Sequence, residues 1–377
     1  MLVGDIAGSH ETALKLIHPL LQDCDNHIPI FWDDRLDRVL NFCFRLLEEG
    51  ALGEDDIRDN SVVRLLRILD HHYYRLQWIS WTPAQFDMLV DYHLHICEGT
   101  DHDAISCTFM VLMGLGGSPS APDQMCLYID TMIHFMGHET TCIAALRAAC
   151  VLRSAVAAMG RDNESLRGRF SKALASVIPL NNPLPKITFF HRYRDMTYLI
   201  LLRTLAQEIT WQLQLHQTGH FDNCLAIAKT LSTEGNRRYD EYAVPVAHIF
   251  AIIDDSNEGR PLFHLLPSWQ LLLQAWRFIF NLDLFEGANI YARDVLSTED
   301  CLTALPSLTL FARRHCDDQD EVLLTVVEQV CSELGKETQQ CKQGETESMQ
   351  HIIPRYPALG KQMRQLLETA WNNHLSH

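Results

Sequence analysis

Two groups of side chains in this sequence of 377 residues have the types and spacing that metal chemistry could use. Asp33, Asp34 and Asp37 fall within the run Asp33-Asp34-Arg35-Leu36-Asp37. Residues three or four apart share one face of a helix, so this spacing would bring carboxylates together, and carboxylate oxygens are what magnesium takes from a protein. His134, His138 and Cys142 recur at steps of four, two imidazoles and a thiol of the kind that zinc binds. On one continuous helix, three ligands over two turns spread ~12 Å along the axis, too far for a single ion. Core and cap residues at a helix boundary are therefore the expectation for that stretch.

The aspartate run resembles the D-D-x-x-D motif by which helical terpene synthases and prenyltransferases hold magnesium-bound diphosphate. The resemblance implies a closed helical bundle, with Asp33, Asp34 and Asp37 as metal ligands at the mouth of a deep apolar cavity. The family's second metal motif is missing. The other acidic cluster, Asp317 to Glu321, lies much farther along the chain than the family's spacing allows. Read from the residues alone, both clusters are acidic first turns complementing a helix dipole. The helix motif of metalloproteases needs a second His where Cys142 stands. Gly137 to Thr141 is similar to the oxygen-activating helix of cytochromes P450, but no cysteine sits in the Phe-x-x-Gly loop that would ligate haem iron.

Other groups fit ordinary structural roles. Gly114 to Pro119 is rich in glycine, yet no strand precedes it and no Gly-Lys-Ser/Thr follows, so it reads as a helix terminator rather than a phosphate loop. His71-His72 and the pair His93/His95 are expected to be surface or partly buried residues. No nucleophile turn of the Gly-x-Ser-x-Gly type occurs. Catalytic residues, bound cofactor and metal are accordingly not expected, with Asp33, Asp34 and Asp37 as the alternative metal set.

Composition narrows the function classes. With 31 Lys+Arg against 48 Asp+Glu, the formal charge is -17, which repels phosphate backbones and anionic lipid heads. Nucleic acid and membrane are poor partners on that ground, and an unknown protein partner, favouring basic surfaces, is the expectation. The twelve cysteines show no C-x-x-C spacing, and many sit in apolar runs, such as Cys43 and Cys150, as reduced core residues do. No secretory signal is visible at the N-terminus, and arginines interrupt the apolar stretch from Ile143 to Met159, so a cytoplasmic or nuclear location is expected.

The elements that would position these residues are helices. Apolar residues recur at three and four nearly everywhere, and strict alternation is scarce. The sharpest start is Thr82-Pro83-Ala84-Gln85: a threonine cap, proline at the first helical position, and glutamine placed to return a hydrogen bond. Its stripe is Phe86, Leu89, Val90, His93, Leu94 and Cys97. Comparable units are expected over residues 11–22, 33–49, 60–71, 101–113, 122–136, 139–159, 163–177, 195–216, 221–231, 239–254, 268–281, 298–315, 318–334 and 357–374. Pro245 and Pro306 should kink or divide their helices.

Helix starts fall roughly every 20 residues, so helix hairpins would recur near the ~40-residue period of helical-repeat arrays. In overall character the chain resembles armadillo/HEAT repeat proteins, and Gly219 to Leu231, with Phe221, Ala226 and Ala228, resembles the first helix of a tetratricopeptide unit. The resemblance implies an all-α fold, a right-handed α-solenoid-like array of antiparallel helix hairpins. The expected organisation is a first array over 1–178, a Pro-rich boundary at 179–187, a second array over 188–335, a polar loop at 336–349 and a C-terminal helix within 350–377. Such arrays hold partners on extended surfaces, so a non-enzymatic protein–protein interaction scaffold is the functional expectation. The alternative is a terpene-synthase-like magnesium-dependent enzyme.

Overall fold

The computed structural model describes residues 33–48, 56–177, 189–234, 240–256, 269–281, 298–315, 321–341, 365–367 and 369–370. Every regular element among them is helical, so the protein is all-α. The expected helix at 11–22, the Pro-rich stretch 179–186 and most of the C-terminal helix lie outside the described residues. No single described helix is long and apolar enough to cross a membrane.

The chain divides into two compact units, Met1–Leu152 and Arg153–His377. The first holds α1 (Asp33–Glu48), α2 (Asp56–His71), a 3-10 turn (Tyr73–Trp78), α3 (Pro83–Ile96), α4 (His102–Leu115), α5 (Pro122–Met136) and α6 (Cys142–Val151). Its ends follow local chemistry. Thr82 caps α3 as a full capping box: its hydroxyl accepts from Gln85 N at 3.3 Å, and its own N donates to Gln85 Oε1 at 2.9 Å. Asp101 caps α4 through Ala104 N at 3.0 Å, and Gly116, at φ 67°, closes it in the left-handed conformation that costs glycine nothing. Replacing Thr82 with alanine should cost about 1 kcal/mol. Urea unfolding of the first unit with an unshifted midpoint would contradict that role.

Within this unit α1 packs on α2, α3 on α4 and α5 on α6, and each helix packs on the next but one. Helices α1, α3 and α5 form one row of neighbours, and α2, α4 and α6 another. Side-chain bonds follow the same stepping. Cys107 Sγ donates to Asp70 Oδ2 across 37 residues, Gln124 Nε2 donates to Asp87 O across 37, and Arg147 Nη1 reaches Met110 Sδ across 37.

The second unit holds α7 (Arg153–Arg161), α8 (Glu164–Val177), α9 (Phe189–Ala206), α10 (Ile209–Gln217), α11 (His220–Glu234), α12 (Asp240–Asp255), α13 (Trp269–Asn281), α14 (Thr298–His315) and α15 (Glu321–Cys341). One row of neighbours runs α7, α9, α12, α14; the other runs α8, α10, α11, α13. Links again step by one helix pair: Ser171 Oγ to Thr218 Oγ1 across 47 residues, Ser256 Oγ to Gln212 Oε1 across 44, and Gln274 Nε2 to Leu231 O across 43.

The two compact units divide between Leu152 and Arg153, and the expected Pro-rich boundary at 179–187 lies outside the described residues. The apolar stretch 139–159 is not one helix: α6 ends at Val151 and α7 begins at Arg153. Helices α7 and α8 pack on α9 and α10, where Trp211 of α10 lies against Gly160 of α7 and donates its indole N–H to Ala157 O at 3.0 Å. That tertiary seat ties both helices to the second unit. The predicted helix 195–216 is likewise two, α9 and α10. Residues 336–341, expected in a polar loop, continue α15, since Lys, Glu and Gln are good helix formers even without an apolar face. Pro245 and Pro306 sit inside α12 and α14 without dividing them.

Candidate functional site

A groove of about 270 Å³ opens in the second unit between α10, the end of α12 and α14. The sequence between α9 and α12 explains how it forms. Ile209, Trp211, Leu213 and Leu215 alternate, and on a helix alternation spreads side chains over two faces. Trp211 and Leu215, four apart, are fully buried. Ile209 and Leu213, also four apart, form a second apolar stripe that stays 42% and 50% exposed. On α14, Phe311 is buried and Leu310 beside it is 47% exposed. Ile209, Ala251, Ile252, Leu310 and Phe311 all line the groove.

Its edge is polar and fixed by hydrogen bonds. Gln212, buried, donates to Ala206 O at 2.8 Å and accepts from Ser256 Oγ at 3.0 Å. Arg314 donates to Asp255 Oδ1 at 2.9 Å and to Asp254 Oδ2 at 3.3 Å, and His315 Nε2 lies 2.9 Å from Asp254 Oδ1. Asp255 and then Asp254 hold the Arg314 guanidinium still further above its already high pKa, so it stays charged at every working pH. The volume lies just below the ~300–1,000 Å³ of small-molecule sites. It suits anchoring apolar side chains from a partner, with Arg314, Asp255 and Ser256 as hydrogen-bonding rim, the apolar-centre and polar-rim arrangement of protein interfaces.

The residues singled out from the sequence are placed elsewhere. Asp33 and Asp34 open α1, with Asp37 one turn on and half-buried. A cavity of about 440 Å³ in the first unit is lined by Arg38, Asn41, Phe44, Arg45 and Glu48 of the same helix and by Gln85 of α3. Two arginines and a glutamate of α1 are thus part of its lining. Glu321, from the second acidic cluster, starts α15 and is bound to Arg313, which also pairs with Glu328.

His134 and His138 do meet, with ring centroids 4.8 Å apart, but α5 ends at Met136 and the chain turns before α6. Cys142 opens α6 and donates its thiol to Glu139 O at 3.4 Å. The third neighbour is instead His102, 5.3 Å from His138, which no local spacing pointed to. Among the described residues no three His, Cys, Asp or Glu side chains are placed to hold a metal ion. His93, expected at or near the surface, is fully buried against Phe109 and Tyr128, and desolvation pushes its pKa down to about 3. In the second unit His220 is buried too, pushed down to about 4 by desolvation, with Tyr198 OH at 2.9 Å from Nδ1 and Ser171 O at 3.0 Å from Nε2. Both are core residues that sequence spacing did not separate from surface histidines.

No protein-family model matches the chain, and no curated protein is detectably similar to it.

Proposed function

We propose that this protein is a non-enzymatic interaction scaffold of armadillo/HEAT character, an α-solenoid of helix pairs whose protein partner anchors apolar side chains in the groove between α10, α12 and α14. The observation that carries this reading is the pair of exposed apolar side chains Ile209 and Leu310 lining a pocket with a hydrogen-bonded rim, with exposed Leu213 one turn along α10 from Ile209. Large apolar side chains grouped around a concavity mark interaction sites more than scattered ones do. The repeat character draws support from polar links that step along the chain by 33 to 38 residues in the first unit and from a subset in the second that steps by 43 to 49, beside others there that span 15 to 22 and 54 to 60.

The test is affinity capture with the full chain and with Leu213→Asp and Leu310→Asp, whose exposed positions leave the core intact. A genuine anchor is worth roughly 2 kcal/mol, so each variant should weaken the captured partner about 30-fold while melting as the parent does. Partners retained equally by both variants would remove the groove from the proposal. Turnover of a prenyl diphosphate that requires magnesium and disappears in Asp37→Ala would replace the scaffold by the terpene-synthase-like alternative.

A further inference from the structure

Aromatic rings run in contact from the surface of the first unit to its centre. His102 at the start of α4, His134 in the last turn of α5 and His138 in the turn beyond lie 6.2, 4.8 and 5.6 Å, centroid to centroid, from Phe135. His134 is exposed, His102 and His138 are half-buried, and Phe135 is buried, so the imidazoles form a collar on its outer side. Phe135 meets Phe109 at 6.2 Å, and Phe109 meets His93 at 4.2 Å.

The inner end of this run is a histidine with little to balance a charge. His93 Nε2 has Cys97 Sγ and Thr131 Oγ1 at 3.4 Å each, and its Nδ1 has no hydrogen-bond partner. The ionisable groups beside it, Cys97 on α3 and Tyr128 on α5, are both raised by burial and stay neutral. Around the collar, Asp101 and Asp103 flank His102, Asp130 precedes His134 by one turn, and Glu139 follows His138. Asp101 is engaged in capping α4, and Asp103 pairs with Arg67 at 2.8 Å.

We propose that the collar and the buried ring beneath it form a proton-operated latch on the joint between α4, α5 and α6. Imidazole is the side chain that ordinarily changes charge between pH 5 and 8. Charging rings 4.8 and 5.3 Å apart sets like charges against each other across His134, His138 and His102. The turn they cover is held by Thr141 Oγ1 donating to Phe135 O at 3.0 Å and by Cys142 N donating to His138 O at 2.9 Å, bonds that part when the turn lifts. Opening then lets His93 take the proton its closed site refuses, and that charge opposes reclosure. The latch belongs to the first unit and stands apart from the groove of the second.

Hydrogen exchange of the full chain at about pH 7 and about pH 5.5, corrected for intrinsic rates, reads the latch over residues 135–145. Protection there should fall at least about tenfold at the lower pH, and raising salt to about 1 M should shrink the change by screening the rings. In His102→Gln/His134→Gln/His138→Gln the acid loss at 135–145 should shrink to that of the rest of the first unit, which His93 sets. If that variant is unfolded at neutral pH by circular dichroism, His134→Gln alone, at the exposed position, should reduce the effect. Undiminished acid opening in the variant read, or no acid opening in the parent chain, overturns the proposal.

Discussion

Gly160→Ala is expected to destabilise the second unit, although the same change on an exposed helix would stabilise it by about 1 kcal/mol. A Cβ at this position would stand 2.2 Å from Cζ2 and 2.6 Å from Cε2 of Trp211. Trp211 cannot retreat freely: it is fully buried, its N–H is held by Ala157 O, and Phe170 meets it edge-on at 5.9 Å. Overpacking of this kind costs roughly 1–3 kcal/mol where side chains can shift and more where they cannot, so a net loss of about 3 kcal/mol is expected. Trp211→Ala should lose a similar amount, about 3–5 kcal/mol, through the cavity it leaves. The two sites touch, so their effects should not add: Gly160→Ala made in a Trp211→Leu background should cost much less than in the parent chain. Melting of Gly160→Ala at or above the parent temperature would refute the seat.

Acid should unfold the first unit through His93. Folded, its ring stays neutral down to about pH 3 because burial excludes the charge; unfolded, it takes a proton near the ordinary imidazole value of 6.5. Between those values the unfolded chain binds the extra proton, so stability is complete above 6.5 and falls as pH drops toward 3. The slope from one group is at most about 1.4 kcal/mol per pH unit, or roughly 3 kcal/mol lost by pH ~4.5. His220 adds the same sign to the second unit over the narrower window from 6.5 to about 4. Urea midpoints measured against pH check both, and His93→Gln should be weaker than the parent at neutral pH yet flatter in its acid response. A parent chain equally stable at both ends of the window would exclude the burial of a neutral His93.

The helices that could be read with their ends are those punctuated locally. Pro122 to Met136 and Thr298 to His315 have the same bounds in sequence and structure, and the capping box at Thr82 forms as its spacing predicts. The breaks at Leu152 and at residues 207–208 escaped because neither carries proline or glycine. What places them is packing between segments far apart in sequence, above all Trp211 on Gly160, and no local pattern encodes that contact. The groove left a fainter trace. The alternation from Ile209 to Leu215 signals a helix apolar on two sides, of which only one can face the core. His93 lay on the apolar stripe Phe86, Leu89 and Val90, which was the better guide to its burial than its neighbour His95. His102 joins His134 and His138 only because α4 and α5 both pack on α6, which brings the start of α4 to the end of α5.

The polar links that step from one helix pair to the next carry a kinetic consequence. Loops of about 40 residues cost only modest entropy to close, and short-range contacts favour fast folding. Each pair of the first unit finds its hydrogen-bonding partners in the pair made just before it, as Gln124 finds Asp87 and Thr131 finds His93. A chain emerging from the ribosome can therefore complete these bonds pair by pair, without waiting for its C-terminal half to be synthesised.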